Sequence, residues 1–264
     1  MADADLASSR SKINVWVTRP TGPGELLAGK LGALGFSSVS EPLIELSPVL
    51  KLDPSQCQHL INLDNYQHII FVSTNAVCWG MESIEKYWTQ MPEGLSWHAI
   101  GAATSRALHQ YGVDVLAGHS AMNSEELLGS DSLQQVSGAK VLIVRGVGGR
   151  TLIGECLYER GAMVDTLEVY RRLKPQLEPV TISNIYSKLG VNVTLISSGE
   201  GLVNLLSLLE RKVLKQVFSL PIIVPGERVA RQARGAGFSN VLVAKNATDQ
   251  SMIDKLCVWA GGST

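Results

Sequence analysis

Short apolar segments alternate with helical patterns along most of this chain. The apolar segments are rich in Val, Ile and Leu, which favours buried strands. We predict strands at 13–18, 69–72, 113–116, 141–144, 193–196, 222–224 and 241–244, and helices at 24–34, 76–87, 102–110, 152–159, 201–209 and 228–234. This alternation predicts parallel sheets with helical crossovers. Strands that are apolar throughout are typical of sheets covered on both faces.

The pattern also repeats itself once. Segment 14–19 (NVWVTR) is echoed by segment 140–145 (KVLIVR) at an offset of 126 residues, which becomes 125 residues further along. The matched positions include Gly35 with Gly161, Ser73 with Ser198, and Gly101 with Gly226. A period this long exceeds that of solenoid repeats, so it predicts two duplicated, domain-sized α/β units. Paired domains form clefts, where ligands commonly bind.

Two extended segments, each containing or closely followed by proline, interrupt the alternation at equivalent places in the two repeats. They cover 38–49 and 165–172 and are typical of interdomain connectors. Two connectors imply that the chain leaves one domain and later returns to it. We therefore predict a discontinuous first domain at 1–37 plus 173–264 and a second domain at 50–164.

Composition narrows the class of protein. The chain has 264 residues, 45% of them hydrophobic and 18% charged, and a net charge of −1, which argues against a general nucleic-acid binder. No apolar run approaches the roughly 20 residues that span a bilayer, and Met1–Lys12 lacks a signal-peptide pattern, so we expect a cytoplasmic protein. The absence of a large apolar stripe favours a monomer.

Cysteine and histidine patterns exclude several kinds of site. The four cysteines never form a C-x-x-C pair, which argues against a disulfide framework or a zinc site. All five histidines lie in the first half without metal-binding or Ser-His-Asp spacing. We therefore expect no metal and no organic cofactor, so a reaction would depend on substrate positioning and hydrogen bonding.

Charge is distributed unevenly between the two halves. Residues 1–130 carry 7 Lys or Arg against 13 Asp or Glu, whereas residues 131–264 carry 16 against 11. Arginine binds carboxylates and phosphates well, so the asymmetry points weakly to an anionic ligand. Solvated surface arginines explain it equally well.

A glycine-rich segment, Arg145-Gly146-Val147-Gly148-Gly149-Arg150, follows a predicted strand and opens a helix. Free amide groups and the helix dipole meet at such a place, which favours anion binding by the loop with Arg145 or Arg150. A dinucleotide fingerprint would need a third glycine where Thr151 stands, so NAD binding is not supported. A turn that needs glycine for its geometry alone remains an alternative.

Polar turns follow strands at equivalent places in the two repeats. They are Ser73-Thr74-Asn75 and Ser197-Ser198-Gly199. Ser and Asn are good helix N-caps, which explains at least one residue in each turn, but hydroxyls above parallel strand ends also suit a ligand. Thr104 is predicted on the same side, and Tyr170 in the second connector either faces the ligand or packs the hinge.

Six motifs in order then resemble the uroporphyrinogen-III synthase family, from Ile13 to Trp259. The motifs are VTRP (17–20), FVSTNAV (71–77), AIGAAT (99–104), RG with GR (145–150), VYRR (169–172) and SS (197–198). The resemblance implies two flavodoxin-like, parallel-sheet α/β domains joined by a two-stranded connector. It also implies a cofactor-free lyase (hydro-lyase) that cyclises hydroxymethylbilane, a linear tetrapyrrole with eight carboxylates, and inverts its terminal ring.

By this resemblance, Tyr170 donates a hydrogen bond to the leaving hydroxyl group. Residues expected to bind the substrate are Arg19, Ser73, Thr74, Asn75, Thr104, Arg145, Gly149, Arg150, Ser197, Ser198, Gly199 and Arg228. The loop Pro225-Gly226-Glu227-Arg228 departs from the family, where a threonine pair stands in some relatives. Arg228 could replace that contact, whereas Glu227 would repel the substrate unless it points away. The alternative hypothesis is a two-domain module that closes on an anionic small ligand without catalysis.

Overall fold

The computed structural model describes residues 10–116 and 123–261, so residues 1–9, 117–122 and 262–264 of the predicted domains lie outside the described residues. The chain divides into two compact units. Among the described residues, unit 1 comprises 10–45 and 173–261, and unit 2 comprises 46–116 and 123–172.

Strands and helices alternate through both units. The strands are β1 Asn14–Val17, β2 Ser37–Ser40, β3 Glu45–Pro48, β4 His68–Phe71, β5 Ser96–Ala99, β6 Lys140–Gly146, β7 Met163–Leu173, β8 Val193–Leu195, β9 Ile222–Pro225 and β10 Val241–Ala244. The helices are Pro23–Ala33, Pro54–Ile61, Thr74–Ile84, Ala102–His109, Ser124–Leu128, Leu152–Glu159, Pro179–Ser187, Gly199–Leu208, Arg211–Ser219, Gly226–Ala236 and Asp249–Gly261. Two 3₁₀ turns add Leu63–Asn65 and Asp131–Leu133.

Unit 1 contains a five-stranded sheet in the order β10-β9-β8-β1-β2. All its neighbouring strands are parallel. Numbered within the unit, this is the flavodoxin-like order 2-1-3-4-5. Successive residues of β1 point to opposite faces, so Trp16 enters one buried cluster while Val15 and Val17 enter another. Both faces of the sheet are therefore covered, as its apolar strands predict.

Unit 2 contains a second five-stranded sheet, in the order β3-β7-β6-β4-β5. The pairs β7-β6, β6-β4 and β4-β5 are parallel and repeat the order β2-β1-β8-β9 of unit 1. The predicted strand at 113–116 is reduced to one parallel bridge between Val115 and Trp97, where unit 1 has β10. The predicted fold class, two duplicated parallel-sheet α/β units, is confirmed.

The segments predicted as connectors lie largely in strands. Ser38–Ser40 belongs to β2 and pairs with β1, and 165–172 belongs to β7, the longest strand of unit 2. The polar sequence of β2 is only half-buried, which is why its pattern resembles a linker. The chain passes between the units at 45–46 and 172–173. The strand Ser96–Ala99 was not predicted, nor were the helices at 54–61, 179–187, 211–219 and 249–261.

Candidate functional site

The pairing between the parallel strands β6 and β7 ends at a β-bulge. Arg145 pairs with Glu168, and the next residue, Gly146, pairs with Tyr170, so that Val169 is skipped. A bulge redirects the side chains that follow it. The carboxyl edge of a parallel sheet is where open α/β folds present ligand-binding residues, and Tyr170 lies at that edge.

A cavity of about 430 Å³ opens at this edge of unit 2. Its polar lining residues include Ser73, Asn123, Arg145, Arg150, Tyr170 and Arg172. The apolar part of the lining comes from Val72, Ile100 and Ile153. Mixed walls with a few convergent polar groups are typical of small-molecule sites.

Tyr170 is 5% exposed, yet it contributes to the cavity wall. Its Oη lies 3.3 Å from Ser73 Oγ, and either hydroxyl can be the donor; Ser73 Oγ accepts a hydrogen bond of 3.1 Å from Ala76 N. Its ring packs on Gly146, where an added Cβ would come within 2.6 Å of Cζ. Gly146 is therefore required because an aromatic ring occupies the space of a side chain.

Arg145 organises the glycine-rich loop. Its Nη2 lies 3.3 Å from Glu168 Oε1, and its Nη1 donates to the carbonyl oxygens of Gly149 and Arg150 at 3.3 and 3.2 Å. The ion pair neutralises much of the Arg145 charge, and the carbonyl contacts tie the loop to β6. The predicted anion-binding role for Arg145 must therefore compete with these partners.

Two further arginines, Arg150 and Arg172, have exposed side chains and border the same cavity. Each carries a cationic guanidinium group with several N–H donors. They give this edge of unit 2 a positive character that suits a carboxylate-bearing ligand.

The equivalent edge of unit 1 carries the second set of predicted residues. Ser198 caps the helix Gly199–Leu208, because its Oγ accepts from Gly201 N at 3.0 Å. Arg228 approaches Gly199, where an added Cβ would lie 3.3 Å from its Nη1. Glu227 pairs with Arg234 at 2.5 Å on the exposed face of its helix. Part of the negative charge of Glu227 is thus compensated locally.

The structure gives some predicted site residues other roles. Arg19 pairs with Asp249 at 2.6 Å and also donates to the carbonyl oxygen of Ala247. It thereby anchors the start of the C-terminal helix. Thr74, Asn75 and Thr104 are not among the described residues that line the cavity of unit 2. Thr104 is buried within its helix.

The cavity wall also includes residues that were not predicted from the sequence to belong to the site. Asn123 and Ser124 reach it from the start of a short helix, which Asn123 caps through Glu126 N at 2.9 Å. Their capping signal was readable, but their proximity to Tyr170 depends on the fold. Arg172 stands in the VYRR motif, two residues after Tyr170, and an alternating strand places both on one side.

Neither a metal centre nor a membrane span is formed by the residues described. Across 10–116 and 123–261, no three His, Cys, Asp or Glu side chains are grouped as metal ligands would be. Over the same residues, no helix combines the length and the apolar character needed to cross a bilayer.

The sequence is similar to those of known proteins along most of its length. A family model described as "Uroporphyrinogen-III synthase HemD" matches residues 25–254. Curated uroporphyrinogen-III synthases of Salmonella typhimurium and Escherichia coli are each 32% identical, over 246 and 249 residues. Each alignment covers 92% of this chain and 100% of the relative.

Solved structures show the same fold at lower identity. The uroporphyrinogen-III synthetase of Helicobacter pylori is 16% identical, with a TM-score of 0.59 over 94% of this chain and 99% of that one. A mutant uroporphyrinogen III synthase of Thermus thermophilus is 18% identical, with a TM-score of 0.57 over 96% and 100%. With the family model covering most of its length, this chain belongs to the uroporphyrinogen-III synthase family.

Proposed function

We propose that this protein is a lyase that cyclises hydroxymethylbilane to uroporphyrinogen III. The observation that carries the proposal is the position of Tyr170, which contributes to the wall of a cavity bordered by arginines and whose Oη lies 3.3 Å from Ser73 Oγ. Family membership supports the substrate and the reaction. We further propose that the two units act as the two domains of a cytoplasmic monomer that needs no cofactor.

The chemistry requires a hydrogen-bond donor at the leaving group. The lone pair of the pyrrole nitrogen expels the hydroxyl of the hydroxymethyl carbon, and a donated proton converts it to water. The resulting azafulvene is attacked by the substituted carbon of the terminal ring, which forms a spiro intermediate that fragments and recloses with that ring inverted. Tyr170 donates to the departing oxygen, a role that typically contributes about 10²–10⁴ in rate.

The substrate carboxylates need positive or hydrogen-bonding partners. In unit 2 we assign Arg150 and Arg172 to this role, because both are exposed at the cavity. In unit 1 the turn at Ser197–Gly199 and the nearby Arg228 offer amide groups and a guanidinium for another carboxylate.

Product analysis tests the proposal directly. Hydroxymethylbilane is generated in situ, the protein is added, and the oxidised uroporphyrin isomers are separated chromatographically. The bilane closes spontaneously to isomer I, so we expect a large excess of isomer III only with the protein present. Isomer I alone would refute catalysis and favour the binding module that closes on an anionic ligand.

A further inference from the structure

Trp79 contacts Tyr170 from the helix Thr74–Ile84. The two ring centroids are 5.2 Å apart and the ring planes are inclined by 38°. This is within the range of favourable aromatic pairs, which contribute about 0.5–1.5 kcal/mol beyond burial. Tyr170 lines the cavity, whereas Trp79 is not among the described lining residues. An effect of Trp79 on a bound substrate would therefore pass through Tyr170.

The helix that carries Trp79 is held tightly on the sheet. At Gly80 an added Cβ would lie 2.7 Å from Val144 Cγ1 and 2.9 Å from Phe71 Cε1, so the helix backbone rests directly on β6 and β4. The same helix begins at Ser73, whose Oγ caps it and lies near Tyr170 Oη. One rigid element thus presents two contacts to Tyr170, one at the ring and one at the hydroxyl.

We propose that Trp79 is a positioning residue for Tyr170. With the Gly146 backbone against the ring and Trp79 packed on it, the phenol has little freedom to rotate or shift. The hydrogen bond between Ser73 Oγ and Tyr170 Oη can run in either direction, since a hydroxyl both donates and accepts. When Ser73 donates, the tyrosine proton is free for the substrate. This inference rests on the proposed function.

The expected effect is on turnover rather than on binding. Displacing a catalytic group by about 1 Å can cost up to about 10² in rate, so loss of the Trp79 contact should lower kcat by about three- to tenfold. KM should change by less than about twofold, because Trp79 does not line the cavity. Trp79→Phe keeps an aromatic ring against Tyr170 and should retain most of the activity.

The experiment compares Trp79→Leu and Trp79→Met, each alone and combined with Tyr170→Phe, by initial rates of isomer III formation. Trp79→Met is the second variant if Trp79→Leu folds poorly, because the unbranched methionine side chain adapts better to an irregular gap. Trp88→Leu is the matched control, because Trp88 packs partly buried against the same core and donates to the Leu60 carbonyl oxygen at 2.7 Å. Thermal unfolding of every variant measures the loss of packing.

The double variants decide the outcome. If Trp79 acts through the Tyr170 hydroxyl, its replacement should change kcat by less than about twofold once that hydroxyl is absent. Equal loss in both backgrounds, equal loss in Trp88→Leu, or a rise in KM with unchanged kcat would overturn the positioning role. Failure of the proposed function would appear separately, as isomer I alone from the unsubstituted protein.

Discussion

At several equivalent positions the two units have the same residue type in the same structural role. Ser73 in unit 2 and Ser198 in unit 1 each cap a helix by accepting a backbone hydrogen bond three residues ahead. Arg145 lies near the end of β6 and Arg19 lies two residues beyond β1, and they form ion pairs with Glu168 and Asp249 respectively. These shared features follow the duplication and would exist without a ligand. They do not by themselves identify a site.

The units differ where the chemistry is proposed. The position of Tyr170 is taken in unit 1 by Ile44, which is buried, and that of Trp79 by Asn204, whose Nδ2 donates to the Leu43 carbonyl oxygen at 2.8 Å. Unit 2 thus has an aromatic pair, one member of which carries a hydroxyl and lines a cavity. At the equivalent positions unit 1 has an apolar side chain and an amide that bonds to the backbone. The asymmetry within a duplicated scaffold marks the functional residues better than either unit does alone.

Tyr170→Phe removes the one hydroxyl that distinguishes the units at this position and should have the largest effect. We expect kcat to fall at least tenfold, and by as much as about 10²–10⁴ if the phenol is the full general acid. The fold should persist, because the ring still packs against Gly146 and Trp79. Steady-state rates of isomer III formation measure the fall in kcat.

Tyr186→Phe provides the control in unit 1. Tyr186 is also a buried tyrosine, and its hydroxyl lies 2.9 Å from Thr194 Oγ1. Its replacement should cost about 1 kcal/mol of stability and leave kcat within about twofold. Near-normal turnover in Tyr170→Phe, or an equal loss in Tyr186→Phe, would end the assignment.

Unit 2 contains two neighbouring histidines whose equivalent positions in unit 1 are aliphatic. His68 on β4 and His98 on β5 contact each other, with Nδ1 of the former 3.1 Å from Nε2 of the latter. Burial, with a smaller contribution from His68, lowers the pKa of His98 to about 4, and burial also lowers the pKa of His68. The equivalent positions in unit 1 are Val193 and Ile223, both fully buried.

Because the folded state holds His98 neutral, acid favours the unfolded state, which binds protons near the ordinary pKa of 6.5. Stability contributed by the neutral form is complete above about pH 6.5 and is lost as pH falls towards 4. Between about pH 7.5 and pH 5 the loss should be roughly 2 kcal/mol from His98 alone. Urea unfolding at the two pH values measures it.

Replacing both histidines by their unit 1 counterparts, His68→Val with His98→Ile, should remove most of that pH dependence. Unchanged acid sensitivity in this variant would mean that other groups cause it. The His-to-aliphatic pair also tests the duplication itself, because the substituted side chains fill equivalent places in the other sheet.

The sequence predicted the repeated scaffold because strands, helices and capping residues are local patterns. Gly35, Gly112, Gly161 and Gly237 each follow a predicted helix, and all four have positive φ, which glycine adopts without strain. Ser38–Ser40 was placed in a connector because a polar, half-buried strand has no local signal that separates it from a linker. Its pairing with β1 depends on the rest of the sheet.

The site was predicted less completely, for the same reason. Tyr170 was identified through its motif, but Trp79 was not, because an aromatic residue in a predicted helix carries no local signal of its partner. Gly146 looked like part of an anion-binding loop, whereas in the structure its missing side chain makes room for the Tyr170 ring. Arg145 was expected to bind substrate, and its Glu168 partner, 23 residues away, is brought to it by strand pairing. Contacts between distant residues leave no local pattern.

The smallest predicted effect separates capping from catalysis at the matched serines. Ser73→Ala and Ser198→Ala each remove an N-cap, so each should lower the free energy of unfolding by about 1 kcal/mol. Ser73→Ala also removes the hydroxyl beside Tyr170 Oη, so it should lower kcat by a few-fold. Ser198→Ala should instead raise KM, because it removes part of the proposed carboxylate contact. Chemical denaturation and steady-state kinetics on the two variants give both quantities. Equal effects of the two substitutions on kcat would show that the Ser73 hydroxyl has no special role beside Tyr170. The functional difference between the units would then depend on Tyr170 alone.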